Sequence, residues 1–160
     1  MEISLANISD LHKILDVQKK AFVQEAELYQ KCTIAPMTQT IDEIIEECKS
    51  KVVLKAELEG RIIGSIRAKI EQDSCHINKL VMLPEYQGKG YGKRLLLEIE
   101  KYFSKATKFV LETGAKSVNN IALYQKVGYK IIDSGMFHDG VDSVIMVKHN
   151  PQPPKGGTNP

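Results

Sequence analysis

The sequence predicts one α+β domain, and two patterns support that prediction. Alternating apolar residues form antiparallel hairpin patterns towards both ends of the chain, and a strand, a helix and a strand follow one another between them. The 160 residues are enough for one hydrophobic core and too few for two ordinary domains. We therefore expect a single domain over residues 1–149 and a Pro/Gly-rich tail over residues 150–160, where no apolar face is available for burial.

The first quarter of the chain predicts a strand, a helix, a loop and a second helix. Residues 3–5 alternate between apolar and polar, which is typical of a short edge strand. Helical spacing begins after Asp10, and we expect the side chain of Ser9 or Asp10 to cap this helix. Residues 28–40 show no period and include a proline, which predicts a loop that could cover a substrate site. A short amphipathic helix then begins at Ile41.

Two-residue periodicity from Val52 to Ile70 predicts a β-hairpin that turns at Glu59 and Gly60. The remaining elements are predicted as a strand over 75–83, a helix from Gly90 to Phe103, a strand over 108–113, a helix over 119–127 and strands over 129–133 and 143–148. The result is a central, mixed and mostly antiparallel twisted sheet of about seven strands, flanked by about four helices.

Composition excludes several classes of function. The formal net charge is only +2, which is far below the positive charge that sequence-independent nucleic-acid binding requires. The apolar runs are too short for a membrane span, and residues 1–10 lack the pattern of a secretory signal. Cys32, Cys48 and Cys75 show neither disulfide nor zinc spacing, and the histidines are scattered singly. We therefore expect no metal, no nucleic-acid or membrane partner, and a cytoplasmic location.

A strand, a glycine turn and the start of a helix lie together between Leu80 and Tyr102. Gly88, Gly90 and Gly92 allow the backbone to approach a ligand closely, and the first amides of the helix lack partners. Phosphate oxygens fit this arrangement. Residues 84–108 also hold six Lys or Arg against three Glu. An ordinary strand-to-helix turn is the alternative explanation of the glycines.

The glycine spacing matches neither a P-loop nor the GxGxxG dinucleotide fingerprint. Instead, Gln87-x-x-Gly90-x-Gly92 resembles the pyrophosphate-binding motif of the GNAT superfamily of acyl-CoA N-acyltransferases. The preceding strand, from Leu80 to Pro84, is similar to the Leu-x-Val-x-Pro strand of that family, with Met82 at the position of Val. A second match is Leu-Tyr-Gln-Lys-Val-Gly-Tyr over residues 123–129.

The resemblance implies a GNAT-like fold and an acetyl-CoA-dependent N-acetyltransferase that acts on a primary amine of a small molecule or a peptide. Many members carry an asparagine where this chain has Ser117, and Asn120 could supply an amide there instead. The residues that the resemblance implies for cofactor binding are Leu80, Val81, Met82, Gln87, Gly88, Lys89, Gly90, Tyr91, Gly92, Lys93 and Asn120.

By the same resemblance, Tyr124 is the acid that protonates the departing thiolate, for which a phenol with a pKa of about 10 is suited. A buried structural tyrosine is the alternative. Glu112 is the candidate base at the end of the central strand. By alternation, His76 and Asn78 would share a face with Leu80 and Met82 and could also reach the substrate, and water-mediated deprotonation remains open.

The acceptor is less clear from the sequence. Residues 25–59 hold eight acidic side chains against four lysines, which either favours a cationic amine or reflects solvated helix faces. A non-catalytic acyl-CoA-binding or interaction module of the same fold is the rival hypothesis, and the presence of Tyr124 favours the enzyme. A homodimer remains a candidate assembly.

Overall fold

A seven-stranded mixed sheet with strand order β1-β2-β3-β4-β5-β7-β6 forms the centre of the computed structural model, which describes residues 1–151. The elements are β1 (Glu2–Leu5), α1 (Leu11–Leu28), α2 (Ala35–Thr38), α3 (Ile41–Cys48), β2 (Val52–Leu58), β3 (Arg61–Glu71), β4 (Ser74–Met82), α4 (Tyr91–Tyr102), β5 (Lys108–Gly114), α5 (Val118–Lys126), β6 (Lys130–Met136) and β7 (Asp142–His149). Most of the predicted tail lies outside the described residues.

Every neighbouring pair of strands is antiparallel except β4 and β5, which are parallel and are connected by α4. The sheet therefore confirms the predicted α+β class and the mostly antiparallel arrangement. The turn of the β2–β3 hairpin has positive φ at both Glu59 and Gly60, as a tight two-residue turn requires. The prediction of a continuous loop over residues 28–40 is wrong, because α2 lies within it. Pro36 is accommodated in the first turn of α2, where its missing amide costs nothing.

Local capping accounts for the start of α3 but not for the start of α1. Thr40 and Glu43 form a capping box, in which the Thr40 hydroxyl accepts from the Glu43 amide at 3.2 Å and the Glu43 carboxylate accepts from the Thr40 amide at 2.8 Å. The predicted side-chain cap of α1 is wrong. The Asp10 carboxylate instead accepts from the Asn7 amide at 2.9 Å and pairs with Lys55 at 3.0 Å.

Helices cover both faces of the sheet, since α1 and α4 both pack on β3 and every residue from Ile62 to Ala68 is buried. The predicted face of the hairpin contributes Leu54 and Ile66 to the core, as expected. The alternation rule treats the opposite face as polar, but that face is buried beneath α1 and α3. For this reason the sequence pattern gave no sign that Arg67 is buried.

Arg67 is fully buried at 0% exposure and is surrounded by acceptors from three other elements. Its Nε and Nη2 atoms donate to the two carboxylate oxygens of Glu47 at 2.7 and 2.9 Å. The Nη1 atom donates to Gln18 at 3.1 Å and Nη2 also donates to Gln39 at 3.3 Å. Lys51 donates to Glu47 at 2.6 Å. This network connects β3 to α1, to α3 and to the loop after α2.

The charge of Glu47 depends on this network. Burial by itself raises the pKa of the Glu47 carboxyl, but the hydrogen bonds and the positive charge of Arg67, aided by Lys51, outweigh burial and hold that pKa well below its usual range. A carboxyl whose pKa is depressed by folding contributes stability above its unfolded pKa of about 4.5 and loses it as the pH falls towards the folded value.

We expect Arg67→Met to lower the free energy of unfolding by about 3–5 kcal/mol, because it leaves the Glu47 carboxylate partly buried without its main partner. Urea unfolding measures this loss. The double variant Arg67→Met/Glu47→Leu should recover much of it, since no charge is then left unpaired. As a second measurement, Glu47→Gln should weaken the acid-side decline of wild-type stability below about pH 4.5. Equal stability of the wild type and Arg67→Met would contradict the assigned role of the network.

Candidate active site

The parallel pairing of β4 with β5 covers only part of the two strands. It runs from the Ser74–Lys108 pair to the Ile77–Leu111 pair, whereas β4 continues to Met82 against β3 on its other side. Between Asn78 and Val81, β4 holds one residue more than β3, and Lys79 there has a φ of +57°. This β-bulge turns β4 away from β5 and opens a cleft between the two strands.

The bulge also changes which side chains share a face. Asn78 lies opposite Arg67 and Val81 lies opposite Ser65, so Asn78 and Val81 project to the same side of the sheet. Met82 lies opposite Gly64 and projects to the other side. The prediction that Asn78 shares a face with Met82 is therefore wrong, because strict alternation fails where one strand gains a residue.

The cleft has a volume of about 480 Å³ and is lined by several parts of the chain. Tyr124 and Glu112, the two candidate catalytic residues, both line it, as do His76 and Asn78. Its walls come from α1, residues 34–36, β4, β5, α5 and the 137–141 segment. The fold thus brings the second sequence motif next to the strand that precedes the first motif.

The glycine loop leads directly into α4. Gly90 forms the N-cap in the left-handed region with a φ of +83°, and Gly88 has a φ of +77°. A Cβ atom at either position would have no neighbour within 4 Å, so the space outside the loop is open. No side chain caps this helix, and its first amides have no acceptor within the helix. Two exposed lysines, Lys89 and Lys93, flank these amides and form no ion pair within residues 1–151.

The other residues predicted to bind the cofactor lie in or next to this glycine loop, and their contacts differ. Gln87 braces the loop, because its backbone amide donates to the Pro84 carbonyl at 3.2 Å and its side chain donates to the Met82 carbonyl at 3.1 Å. Leu80 lines the cleft, and a Cβ at Gly92 would lie 4.0 Å from it. The remaining members of the predicted set are Val81 and Met82, which are buried, and Tyr91, which is half-buried at the first turn of α4.

Tyr124 is buried, and its ring packs edge-on against Tyr129 with the ring centres 6.0 Å apart. Its hydroxyl makes no hydrogen bond to any residue in the described part of the chain, although the side chain lines the cleft. Burial raises the pKa of the Tyr124 phenol, and the negative charge of Glu25 raises it further. The hydroxyl therefore keeps its proton at neutral pH and is free to donate it to a group in the cleft.

Glu112 lies on β5 opposite Ile145 of β7. The Ser143 hydroxyl donates to its carboxylate, and a Cβ at Gly135 would lie 3.4 Å from the same oxygen. The carboxylate is thus held against the β6–β7 side of the cleft, and its second oxygen has no donor among the described residues.

His76 and Asn78 offer less to a reaction. The Nε2 atom of His76 lies 3.6 Å from the Glu71 carboxylate, and the Asn78 side-chain oxygen accepts from Lys51 at 3.2 Å. Both groups therefore have partners on this chain. The structure does not favour either as the base.

Two residues near the end of α1 complete the site, and sequence reasoning did not identify them. The Glu25 carboxylate accepts from the Ser117 hydroxyl and, at 3.4 Å, from the Asn120 side-chain amide. The Tyr29 hydroxyl accepts from the Lys116 amide at 2.9 Å. The four-residue spacing of Glu25 and Tyr29, which puts both on one helical face, was the only signal in the sequence that could have identified them. Asn120, one of the residues predicted to bind the cofactor, donates to Glu25 in this structure.

The carboxylates of the cleft accept hydrogen bonds from neutral groups of the chain. Asp139 accepts from the amides of Ala35 and Val141 at 3.0 and 3.3 Å, and Glu25 and Glu112 accept from side chains. Within residues 1–151 no group of three or more His, Cys, Asp or Glu side chains could hold a metal ion. No helix in the same range is long and apolar enough to cross a membrane.

Comparison with known proteins agrees with this geometry. Residues 11–129 match the model of the acetyltransferase (GNAT) family. The chain is 26% identical over 161 residues to a spermidine N(1)-acetyltransferase of Thermoplasma acidophilum, with 93% of this chain and 98% of the relative covered.

Solved structures show the same fold. PaiA N-acetyltransferase of Thermoplasma acidophilum in complex with coenzyme A superposes with a TM-score of 0.70 at 25% identity, covering 93% of this chain and 99% of the other. The ribosomal-protein-S18-alanine N-acetyltransferase of Escherichia coli superposes with a TM-score of 0.75 at 17% identity, covering 92% of each chain.

The contact between α1 and the β5–α5 connection gives a direct test of the site's architecture. A Cβ at Gly114 would lie 2.1 Å from the Tyr29 hydroxyl oxygen and 2.7 Å from the Ser117 hydroxyl oxygen. We expect Gly114→Ala to displace the end of α1 and to cost about 1–3 kcal/mol of stability, measured by thermal unfolding. In a Tyr29→Phe background the same change should cost less, because one clashing atom is gone. Additive costs in this double-mutant cycle would contradict the contact.

Proposed function

The chain belongs to the acetyltransferase (GNAT) family, and on that premise we propose that it transfers the acetyl group of acetyl-CoA to a primary amine of a small molecule or peptide. The amine attacks the thioester directly, without an acyl-enzyme. The observation that carries the proposal is the free Tyr124 hydroxyl in the cleft that the β4 bulge opens. We assign this activity to one domain, residues 1–149.

The residues present fit acetyl-CoA. The uncapped start of α4 and the open space at Gly88 and Gly90 suit the pyrophosphate, and Lys89 and Lys93 add positive charge beside it. Where β4 leaves β5, the backbone groups of the strand that face the cleft no longer pair with β5 and can pair with the pantetheine arm. PaiA, which shares the fold, was solved with coenzyme A.

The chemistry needs a proton acceptor and a proton donor. Glu112 takes the proton of the attacking amine, and Ser143 holds its carboxylate in place. The new bond joins the amine nitrogen to the carbonyl carbon, and the carbon–sulfur bond then breaks. Tyr124 still carries its proton at neutral pH, because burial and Glu25 raise the pKa of its phenol, and it gives that proton to the departing thiolate. Proton exchange with solvent then returns Tyr124 and Glu112 to their starting states. The products are the N-acetylated amine and free coenzyme A.

We expect Gly90→Glu to abolish binding of coenzyme A, measured by calorimetric titration, because it places a negative side chain where the pyrophosphate would lie. Gly60→Glu is the matched control. Gly60 also has a positive φ, of +78°, and open space around it, but it lies in the β2–β3 turn. The control variant should carry a similar backbone strain and bind normally. Unchanged affinity in a folded Gly90→Glu protein would move the cofactor site elsewhere.

We expect Tyr124→Phe to lower kcat by about 10²–10⁴-fold with little change in acetyl-CoA affinity, because it removes only the donated proton. A steady-state assay of thiol release measures kcat. The control is Tyr129→Phe, since the Tyr129 hydroxyl donates to Glu100 at 2.8 Å outside the cleft. The control should lose stability and keep kcat. If KM for acetyl-CoA rises instead and kcat holds, the Tyr124 hydroxyl anchors the cofactor and does not act as the acid.

A further inference from the structure

Lys79 is a charged residue of the cleft whose side chain has no partner in the described part of the chain. The carboxylates that line the cleft, those of Glu25, Glu112 and Asp139, each accept a hydrogen bond from this chain. The Lys79 ammonium, in contrast, makes no hydrogen bond or ion pair with any residue in the range 1–151, although the residue is half-buried and lines the same cleft. An unpaired and partly desolvated cation is costly, so a functional reason is expected for it.

The surroundings of Lys79 are cationic. Arg67 and Lys51 lie near it, and Glu47 is shared between these two cations. Counting Lys79, three positive charges therefore face one negative charge. Burial lowers the pKa of the Lys79 ammonium, and the charges of Arg67 and Lys51 lower it further. One additional negative charge at this place would halve the local excess of positive charge.

The backbone conformation at Lys79 is also unusual. Lys79 is the bulge residue itself, and its φ of +57° is a conformation that glycine and asparagine adopt more readily than lysine. Conformational preference alone does not explain a lysine here. The bulge places this residue where β4 separates from β5, at the cleft in which the proposed function puts the acceptor.

We propose that Lys79 binds a carboxylate of the acceptor, so that the preferred substrate is an amine that also carries an acid group. The inference rests on the proposed acetyltransferase function and names the class of its acceptor. It departs from the polyamine that the spermidine N(1)-acetyltransferase relative takes by name. A polycation would bring further positive charge against Lys79, Arg67 and Lys51, which opposes its binding at this place.

The test uses matched acceptors. Linear amino acids with one to five methylene groups between amine and carboxylate are each compared with their carboxamides, and spermidine represents the polyamines. We expect kcat/KM for the acid to exceed that for the amide by about 10- to 100-fold at the best chain length, the range for a hydrogen bond between charged groups. A preference for the amides or for spermidine at every chain length would overturn the proposal.

Variants show whether Lys79 causes the preference. Lys79→Met should bring the acid-to-amide ratio close to one, and Lys79→Arg should keep much of the preference. Lys116→Met is the control, because Lys116 is exposed and lies over the Tyr29 ring at 5.8 Å near the same cleft. It should retain the full ratio. An unchanged ratio in folded Lys79→Met would overturn the proposal.

A second readout does not require turnover. Acetic anhydride labels lysines, and mass spectrometry of peptides reports the labelling rate of Lys79. The amino acids should slow this rate several-fold and the carboxamides should not. Protection without any amine acetylation would show that the acid site exists and that the proposed acetyltransferase function is wrong. Absence of protection by every acid would overturn the acid site, whether or not amines are acetylated.

Discussion

The extra residue in β4 is the constraint on which the site depends. A parallel ladder requires equal residue counts on both strands, and the bulge at Lys79 ends the ladder between β4 and β5 after Ile77 and Leu111. The cleft lies where the pairing stops, and α4 begins at the far end of the same strand. A fully paired β4 would fill the space that the acyl donor is proposed to occupy. The proposed acyl donor would pair with this backbone and so offset the cost of leaving it unpaired.

The buried ion pair between Arg67 and Glu47 stabilises the strand that lies next to the bulge. Arg67 lies opposite Asn78 on the neighbouring strand, one residue before the bulge, and its guanidinium is satisfied by Glu47, Gln18 and Gln39. The sheet, α1 and the segment around α2 are thereby joined in one polar network. Because Lys51 extends the network to Asn78 in the cleft, the stability of the fold and the shape of the site depend on the same contacts.

Charge in the cleft follows from which groups find partners. The acidic residues between Glu25 and Glu59 were open to two interpretations, a cationic acceptor or solvated helix faces. In the structure Glu47 is paired with Arg67, whereas Glu43 and Glu25 accept from neutral donors and keep their charge. Counting charges along the chain therefore misrepresents the field that a substrate meets. The field depends on the charges that no opposite charge offsets. In this cleft, the described residues leave without an ion-pair partner the Lys79 cation and the carboxylates of Glu25, Glu112 and Asp139.

Apart from α2, the sequence by itself determined the order and type of the elements, the glycine turn at the start of α4 and the position of Tyr124, because these depend on local period and local turn chemistry. It also identified the family, through two short motifs in the right order. Only the tertiary structure decided that Arg67 is buried, that Glu25 and Tyr29 reach the β5–α5 connection, and that β4 carries a bulge. Each of these depends on contacts between residues far apart in the chain. Periodicity records which residues are apolar, but it does not record which polar groups meet.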